Sequence, residues 1–212
     1  MSEILRINPK VPEADEIKKA AQYILDGEVI AYPTETIYGL GADVFNRKAV
    51  KKIYDLKARD YGLPIAILVS SVQMLRELVT GIPERAEALM RRYWPGPLTI
   101  LFEVNEKFPR SLVTNTGKVG VRISSHPIVA ALVTQAGRPI TTTSAKLSVF
   151  PPSLNVKHLQ KYFGEKISCL IDGGECEPSR GSTVVDVTQE TMRIIREGTI
   201  PAEAVIRTFQ QS

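Results

Sequence analysis

One segment constrains this chain more than any other: Val29-Ile30-Ala31-Tyr32-Pro33-Thr34-Glu35-Thr36-Ile37-Tyr38-Gly39-Leu40-Gly41. An apolar strand over residues 28–32 runs into a proline and breaks into a polar loop. That loop holds two threonines, a glutamate and a tyrosine, and two glycines close it. Turns need Gly and Pro, but they have no need of Thr-Glu-Thr-x-Tyr. The pattern is that of an α/β protein presenting reactive side chains at the end of a strand; a plain strand ending in a turn is the alternative.

The rest of the chain alternates between strand-like and helix-like stretches. Ala14, Ile17, Ala20, Ala21, Ile24 and Leu25 recur at helical spacing until Asp26-Gly27. Asn46 caps a helix striped by Ala49, Val50, Ile53 and Leu56. Pro64 opens a buried strand over 65–69, Ser71 caps a short helix, and Pro83 is the first residue of another. The rigid turn Trp94-Pro95-Gly96-Pro97 leads into a strand over 98–102. Residues 104–118 read as a polar loop, 119–123 as a strand, and Pro127 to Ala136 as a helix. A short strand over 140–143 ends in Ser144-Ala145-Lys146, and residues 147–154 are irregular. Asn155 caps a helix to Phe163, and a strand over 167–171 enters Asp172-Gly173-Gly174. Thr183–Val187 and Met192–Arg196 form a hairpin, and Pro201 starts a last helix. The prediction is an α/β fold, an open twisted sheet of mixed direction with helices packed on it, as one domain over 1–212.

A chain of 212 residues can bury a sizeable core. No apolar run approaches the ~20 residues needed to cross a bilayer. Met1 to Arg6 lacks the apolar centre of a secretory signal, so we expect a cytoplasmic protein with no membrane partner. The two cysteines, Cys169 and Cys176, lie seven residues apart, a spacing that matches no zinc or redox signature, and reduced thiols are expected. Two histidines, His126 and His158, are too few for a histidine-rich metal site. His126 precedes Pro127 at a helix start, which suggests a capping or surface role. The net charge of +4, from 27 basic and 23 acidic residues, suits phosphates or RNA, and an ordinary solvated surface gives the same sum.

Several cations stand at the ends of these elements. Lys57 and Arg59 follow a helix, Arg122 interrupts an apolar strand, and Arg196 ends the hairpin. A buried arginine is costly unless paired, so Arg122 must meet a carboxylate, a phosphate or carbonyl oxygens; an internal salt bridge satisfies it equally well. Lys57 taken alone also reads as a solvated surface charge. Hydroxyls cluster in Thr141-Thr142-Thr143-Ser144 and Gly181-Ser182-Thr183, where they suit phosphate oxygens or an amino-acid ligand, although Thr is also a common strand former. Neither a Walker loop nor a G-x-G-x-x-G fingerprint occurs.

From about Ile17 to Arg196 these pieces, in this order, resemble the YrdC-like threonylcarbamoyl-adenylate synthase family. The carriers are Pro33 to Gly41, Lys57-Ala58-Arg59 with Pro64, Trp94-Pro95-Gly96-Pro97-Leu98-Thr99, Gly120-Val121-Arg122, Thr143-Ser144-Ala145, Ser182-Thr183-Val184-Val185-Asp186 and Arg196-Glu197-Gly198. The resemblance implies a sheet around a concave basic cavity. It also implies formation of threonylcarbamoyl-AMP from L-threonine, bicarbonate and ATP with release of pyrophosphate, for modification of tRNA at adenosine 37. It further implies Mg2+ accompanying ATP, tRNA or double-stranded RNA as a partner, and proteins of the threonylcarbamoyl-transfer machinery. By position, Thr36, Tyr38, Arg122, Thr143 and Ser182 look like threonine-binding residues. Lys57 and Arg59 look like a catalytic phosphate clamp, and Ser144, Lys146 and Arg196 look like nucleotide contacts.

Three positions depart from the family pattern. Lys146 stands where an asparagine is usual, which replaces a neutral donor and acceptor by a full charge with donors only. Leu63 stands where many members have a basic residue, and Leu68 where some have a histidine. These departures leave open a divergent paralogue with weak or altered activity that binds nucleotide or RNA. A plain RNA-binding module is a third reading, although no aromatic stacking pattern of a known RNA module is present.

Overall fold

The computed structural model describes residues 1–58, 63–113, 116–145 and 154–211. Seventeen elements follow in chain order: β1 (Glu3–Arg6), α1 (Ala14–Leu25), β2 (Ile30–Tyr32), β3 (Gly39–Gly41), α2 (Arg47–Leu56), β4 (Ala66–Leu68), α3 (Val72–Arg76), α4 (Glu84–Tyr93), β5 (Leu98–Glu103), β6 (Lys118–Arg122), α5 (Pro127–Ala136), β7 (Ile140–Ser144), α6 (Val156–Phe163), β8 (Cys169–Asp172), β9 (Thr183–Asp186), β10 (Arg193–Arg196) and α7 (Ala202–Gln210). The strands form one sheet in the order β1-β8-β2-β3-β7-β4-β6-β5-β9-β10. Four neighbouring pairs are parallel, namely β1 with β8, β2 with β8, β4 with β6 and β5 with β9, and the remaining pairs are antiparallel. This is the mixed sheet with packed helices that the sequence predicts. No helix among the described residues is long and apolar enough to cross a membrane.

Successive strand residues point to opposite faces, so each strand can serve two layers. On β4, Ile67 joins the larger core, to which α2, α4, α6 and α7 contribute. Its neighbour Leu68 joins a second core, built largely from Ile17, Ala20, Ala21 and Ile24 of α1 with Ile128, Val129, Leu132 and Val133 of α5. Ala66 shares the face of Leu68, but α1 and α5 do not extend that far, and Ala66 lines an open hollow instead. Among the described residues, one sheet face is therefore covered by helices at one end and carries the hollow at the other.

Local signals hold where they act over a few residues. The Asn46 side chain accepts from Lys48 N and Ala49 N, both at 3.1 Å, and Ser71 and Asn155 cap α3 and α6 in the same way. Pro83 and Pro201 stand one place earlier than expected, at the N-cap positions of α4 and α7. The predicted hairpin forms as β9 and β10, with a register shift between Ile194 and Arg196.

Two expectations change. Gly39-Leu40-Gly41 is a strand rather than the end of a loop, paired on both sides by β2 and β7. The glycines make this strand possible: a Cβ on Gly41 would meet Tyr32 Cε1 at 2.4 Å. The Tyr32 ring lies across β3 and donates its hydroxyl to Thr141 O at 3.0 Å. The stretch predicted as a polar loop over 104–118 also buries Phe108 and Leu112, and Lys118 already belongs to β6.

Candidate active site

The hollow has a volume of about 940 Å³, within the range of small-molecule sites. Strand alternation builds it. Lys118, Gly120 and Arg122 of β6 face the hollow, whereas Val119 and Val121 face the larger core. Thr99 and Leu101 of β5 and Ser182, Val184 and Asp186 along β9 repeat the same alternation. The floor is low because its side chains are small: a Cβ on Gly120 would meet Thr99 Cγ2 at 2.9 Å and Ala66 Cβ at 3.5 Å. Arg180, Arg193 and Arg196 add cations along the rim.

Arg122 is buried and meets two of the partners foreseen for it. Its Nε donates to Gly96 O at 3.0 Å, in the turn that precedes β5. Its Nη2 lies 2.6 Å from Glu35 Oε1, a close ion pair. Nη1 makes no hydrogen bond among the described residues and is left for the hollow that Arg122 lines. The internal salt bridge and the ligand-facing role thus coexist in one guanidinium. Burial alone would raise the Glu35 carboxyl. The Arg122 charge and hydrogen bonds from Arg122, Ser124 and Ser125 outweigh it and bring the carboxyl down to about 2.

Thr36 and Tyr38 both line the hollow. Thr36 Oγ1 pairs with Thr34 Oγ1 at 2.8 Å, and its carbonyl accepts from Ser179 Oγ at 3.0 Å. The Tyr38 ring is fully buried, and its hydroxyl donates to Gly174 O at 2.7 Å and accepts from Gly173 N at 3.3 Å. Tyr38 therefore pins the segment carrying Ser179 and Arg180 against β3, and burial raises its phenol.

Thr143 and Ser144 stand at the end of β7, on the wall opposite β6 and β9. Lys57 is buried, so the reading as a solvated surface charge fails. Its Nζ donates to Ser144 O at 2.5 Å, directly behind that wall. Ser182 Oγ accepts from Thr99 Oγ1 at 2.9 Å and from Arg196 Nη2 at 3.1 Å. Arg196 also donates through Nη2 to Ser182 O at 2.7 Å. Burial, and then the Arg122 charge, lower the Arg196 guanidinium from its ordinary range, which records two cations sharing one basin. Arg59 and Lys146 lie outside the described residues.

Sequence reasoning missed Glu35 as the partner of Arg122, and Lys118, Asp186, Ser179, Arg180 and Arg193 as parts of the hollow. A signal for Lys118 existed: it precedes Gly120 and Arg122 at the two-residue spacing of one strand face. Its Nζ pairs with Asp186 Oδ2 at 2.8 Å, and that pairing, with bonds from Thr188, overcomes burial and lowers the Asp186 carboxyl. His126 precedes α5, but its side chain makes no capping bond; Ser124 Oγ accepts from its backbone N at 3.2 Å instead. Both cysteines are free and buried, and burial pushes the Cys169 thiol up to about 12 and Cys176 up to about 11. No cluster of His, Cys, Asp and Glu suited to a metal ion occurs among the described residues. A second hollow of about 750 Å³, between α2 and residues 110–113, contains none of the predicted site residues.

Residues 22–198 match the family described as Telomere recombination, which groups Sua5, YciO and YrdC proteins. The threonylcarbamoyl-AMP synthase of Pyrococcus abyssi is 38% identical over 205 residues, which cover 97% of this chain and 60% of that protein. The threonylcarbamoyl-AMP synthase of Marinobacter nauticus is 34% identical over 180 residues, 83% of this chain and 93% of that protein. Among solved structures, P. abyssi Sua5 complexed with L-threonine has a TM-score of 0.92 at 36% identity, covering 98% of this chain and 61% of that one. The chain thus spans about 60% of the length of the Pyrococcus relative and nearly all of the Marinobacter one.

Proposed function

Because the chain belongs to the Sua5–YciO–YrdC family, we propose that it is an L-threonylcarbamoyladenylate synthase. It joins L-threonine, bicarbonate and ATP into threonylcarbamoyl-AMP and releases pyrophosphate, in the cytoplasm. The observation that carries this reading is the Nη1 edge of Arg122, unbonded among the described residues, in a basin ringed by hydroxyls and further cations. A guanidinium fork suits a carboxylate, so Arg122 receives that of threonine, with Thr36, Thr143 and Ser182 around the rest of the amino acid. Ser144 and Arg196 contact the nucleotide. Arg59 and Lys146 serve its phosphates, and Lys57 adds its charge to that site from behind Ser144.

The threonine amine combines with bicarbonate to give an N-carboxylate: a C–N bond forms, a C–O bond of bicarbonate breaks, and its oxygen leaves as water with a proton from the amine. An oxygen of that group attacks the α-phosphorus of ATP, a new P–O bond forms, and the bond to pyrophosphate breaks. No side chain acts as nucleophile, so the protein positions the reactants and neutralises charge as it moves onto the leaving group. Magnesium arrives with ATP, held by its phosphates as part of the substrate, a mode in which the ion needs few protein carboxylates. The product is passed on for tRNA modification, with tRNA and the transfer proteins as partners.

The test is pyrophosphate release with ATP, magnesium, bicarbonate and single amino acids. Release that requires both threonine and bicarbonate is expected. Nucleotide binding without release would instead favour the divergent paralogue that Lys146 suggests, and tight RNA binding alone would favour a binding module.

A further inference from the structure

Glu35 is the only acid in the polar loop after β2, and donors from β6 and the start of α5 surround its carboxylate. Arg122 Nη2 lies 2.6 Å from Oε1, Ser125 N donates to the same oxygen at 3.0 Å, and Ser124 Oγ donates to Oε2 at 2.5 Å. The carboxylate ties the end of β6 and the approach to α5 to the loop that carries Thr34 and Thr36. On its other edge Arg122 is held by Gly96 O. A long side chain with several free torsions is thereby reduced to a single pose, with one edge left for a ligand. Fixing a group before the ligand arrives removes the ordering cost from binding.

The charges along the hollow are unevenly spread. The Arg122 end, with Glu35 ionised, is close to neutral, as is the Lys118–Asp186 pair. Arg180, Arg193 and Arg196 line the hollow and take part in no ion pair among the described residues. Among the described lining residues, the cations without an ion pair therefore stand on β10 and just before β9. A net-neutral pair that offers one aimed guanidinium edge suits a zwitterion, whose single carboxylate it can receive. It does not suit a polyphosphate, which the glutamate repels.

We propose that Glu35 is a positioning and specificity-determining residue that acts through Arg122. It aims Nη1 at the carboxylate of an amino acid and keeps polyanions out of that end of the hollow. This rests on the reading of Arg122 as the threonine-carboxylate site.

Glu35→Gln is the informative substitution, because shape is retained and only the charge is lost. The Gln oxygen can still accept from Arg122 and Ser125, and its amide can donate to Ser124 Oγ. Calorimetric titration with L-threonine and, separately, with pyrophosphate should show threonine binding weakened at least fivefold and pyrophosphate binding tightened at least twofold. A role confined to fold stability would weaken both ligands together, and that result overturns the proposal, as does wild-type affinity for both. Glu35→Asp keeps the charge but withdraws the carboxylate from Arg122. It should weaken threonine at least fivefold with pyrophosphate affinity unchanged, which keeps the idea testable if the Gln variant does not fold. In an Arg122→Lys background the Glu35→Gln change should alter threonine affinity less than twofold, since its effect passes through the guanidinium; a full fivefold loss there overturns it. Wild-type protein that binds no threonine removes the reading of the hollow and this inference with it, whereas wild-type binding with insensitive variants removes only the inference.

Discussion

Replacing Glu35 by Gln should leave a signature in stability as a function of pH. The Glu35 carboxyl moves from 4.5 to about 2 in the folded protein. Its side chain is only 17% exposed, so solvent screening discounts the effect little. A shift of that size corresponds to about 3 kcal/mol of differential interaction. The folded-state value is depressed, so the stabilisation is complete above the unfolded value near 4.5 and is lost as pH falls from there toward 2. Glutamine takes up no proton in this range. Urea unfolding of both proteins should therefore show a stability gap that narrows by roughly 2.5 kcal/mol between about pH 6 and about pH 2.5. In thermal scans at neutral pH, about 3 kcal/mol corresponds to roughly 6–12 °C for a chain of this size. Other carboxylates also titrate here, among them Glu28 and Asp186, but they are common to both proteins and cancel in the difference. A gap of constant size across the range would mean that Glu35 contributes an ordinary hydrogen bond and no ion pair.

Three further outcomes are expected. Lys57→Ala removes the ammonium behind Ser144 and strips that carbonyl of its donor, and pyrophosphate release should fall at least ~tenfold; turnover equal to wild type would refute the assignment. Tyr38→Phe deletes the bonds to Gly174 O and Gly173 N, worth about 1 kcal/mol, so amide hydrogen exchange should quicken roughly fivefold in the segment after β8 while β5 and β6 stay protected. Unchanged exchange there would show that the tyrosine does not pin the segment. Gly198→Ala places a Cβ 2.4 Å from Ser182 C and Gly181 O, both backbone atoms that cannot swing aside. A loss of about 2–3 kcal/mol should appear as a lower melting temperature, and a melting temperature equal to wild type would contradict the packing of β9 against Arg196–Gly198.

Much of the architecture is legible from short-range rules. The caps at Asn46, Ser71 and Asn155, the β9–β10 hairpin and the alternation Lys118-Val119-Gly120-Val121-Arg122 each involve residues within one turn, one hairpin or one strand. The strand at Gly39–Gly41 is different. Glycines there look like loop residues until the Tyr32 ring is seen occupying the space a Cβ would need. β1 is equally hidden, because its four residues become a strand only by pairing with β8 near the other end of the chain.

The candidate site divides along the same line. That Arg122 requires an anion or carbonyl oxygens follows from one charge inside an apolar strand, because burying an unpaired guanidinium is prohibitive. Which anion meets it does not follow. Glu35 and Gly96 reach Arg122 only because β4, β6 and β5 lie side by side and the loop after β2 crosses to them, an order set by burying both sheet faces at once. The amino-acid sequence determined which residues have chemistry to offer, because propensity, capping and strand alternation act between neighbours. The tertiary structure alone decided that Thr36, Arg122, Ser144, Ser182 and Arg196 share one basin and that Lys57 stands behind its wall. Convergence from distant stretches depends on strand order and layer packing, and no local pattern encodes either.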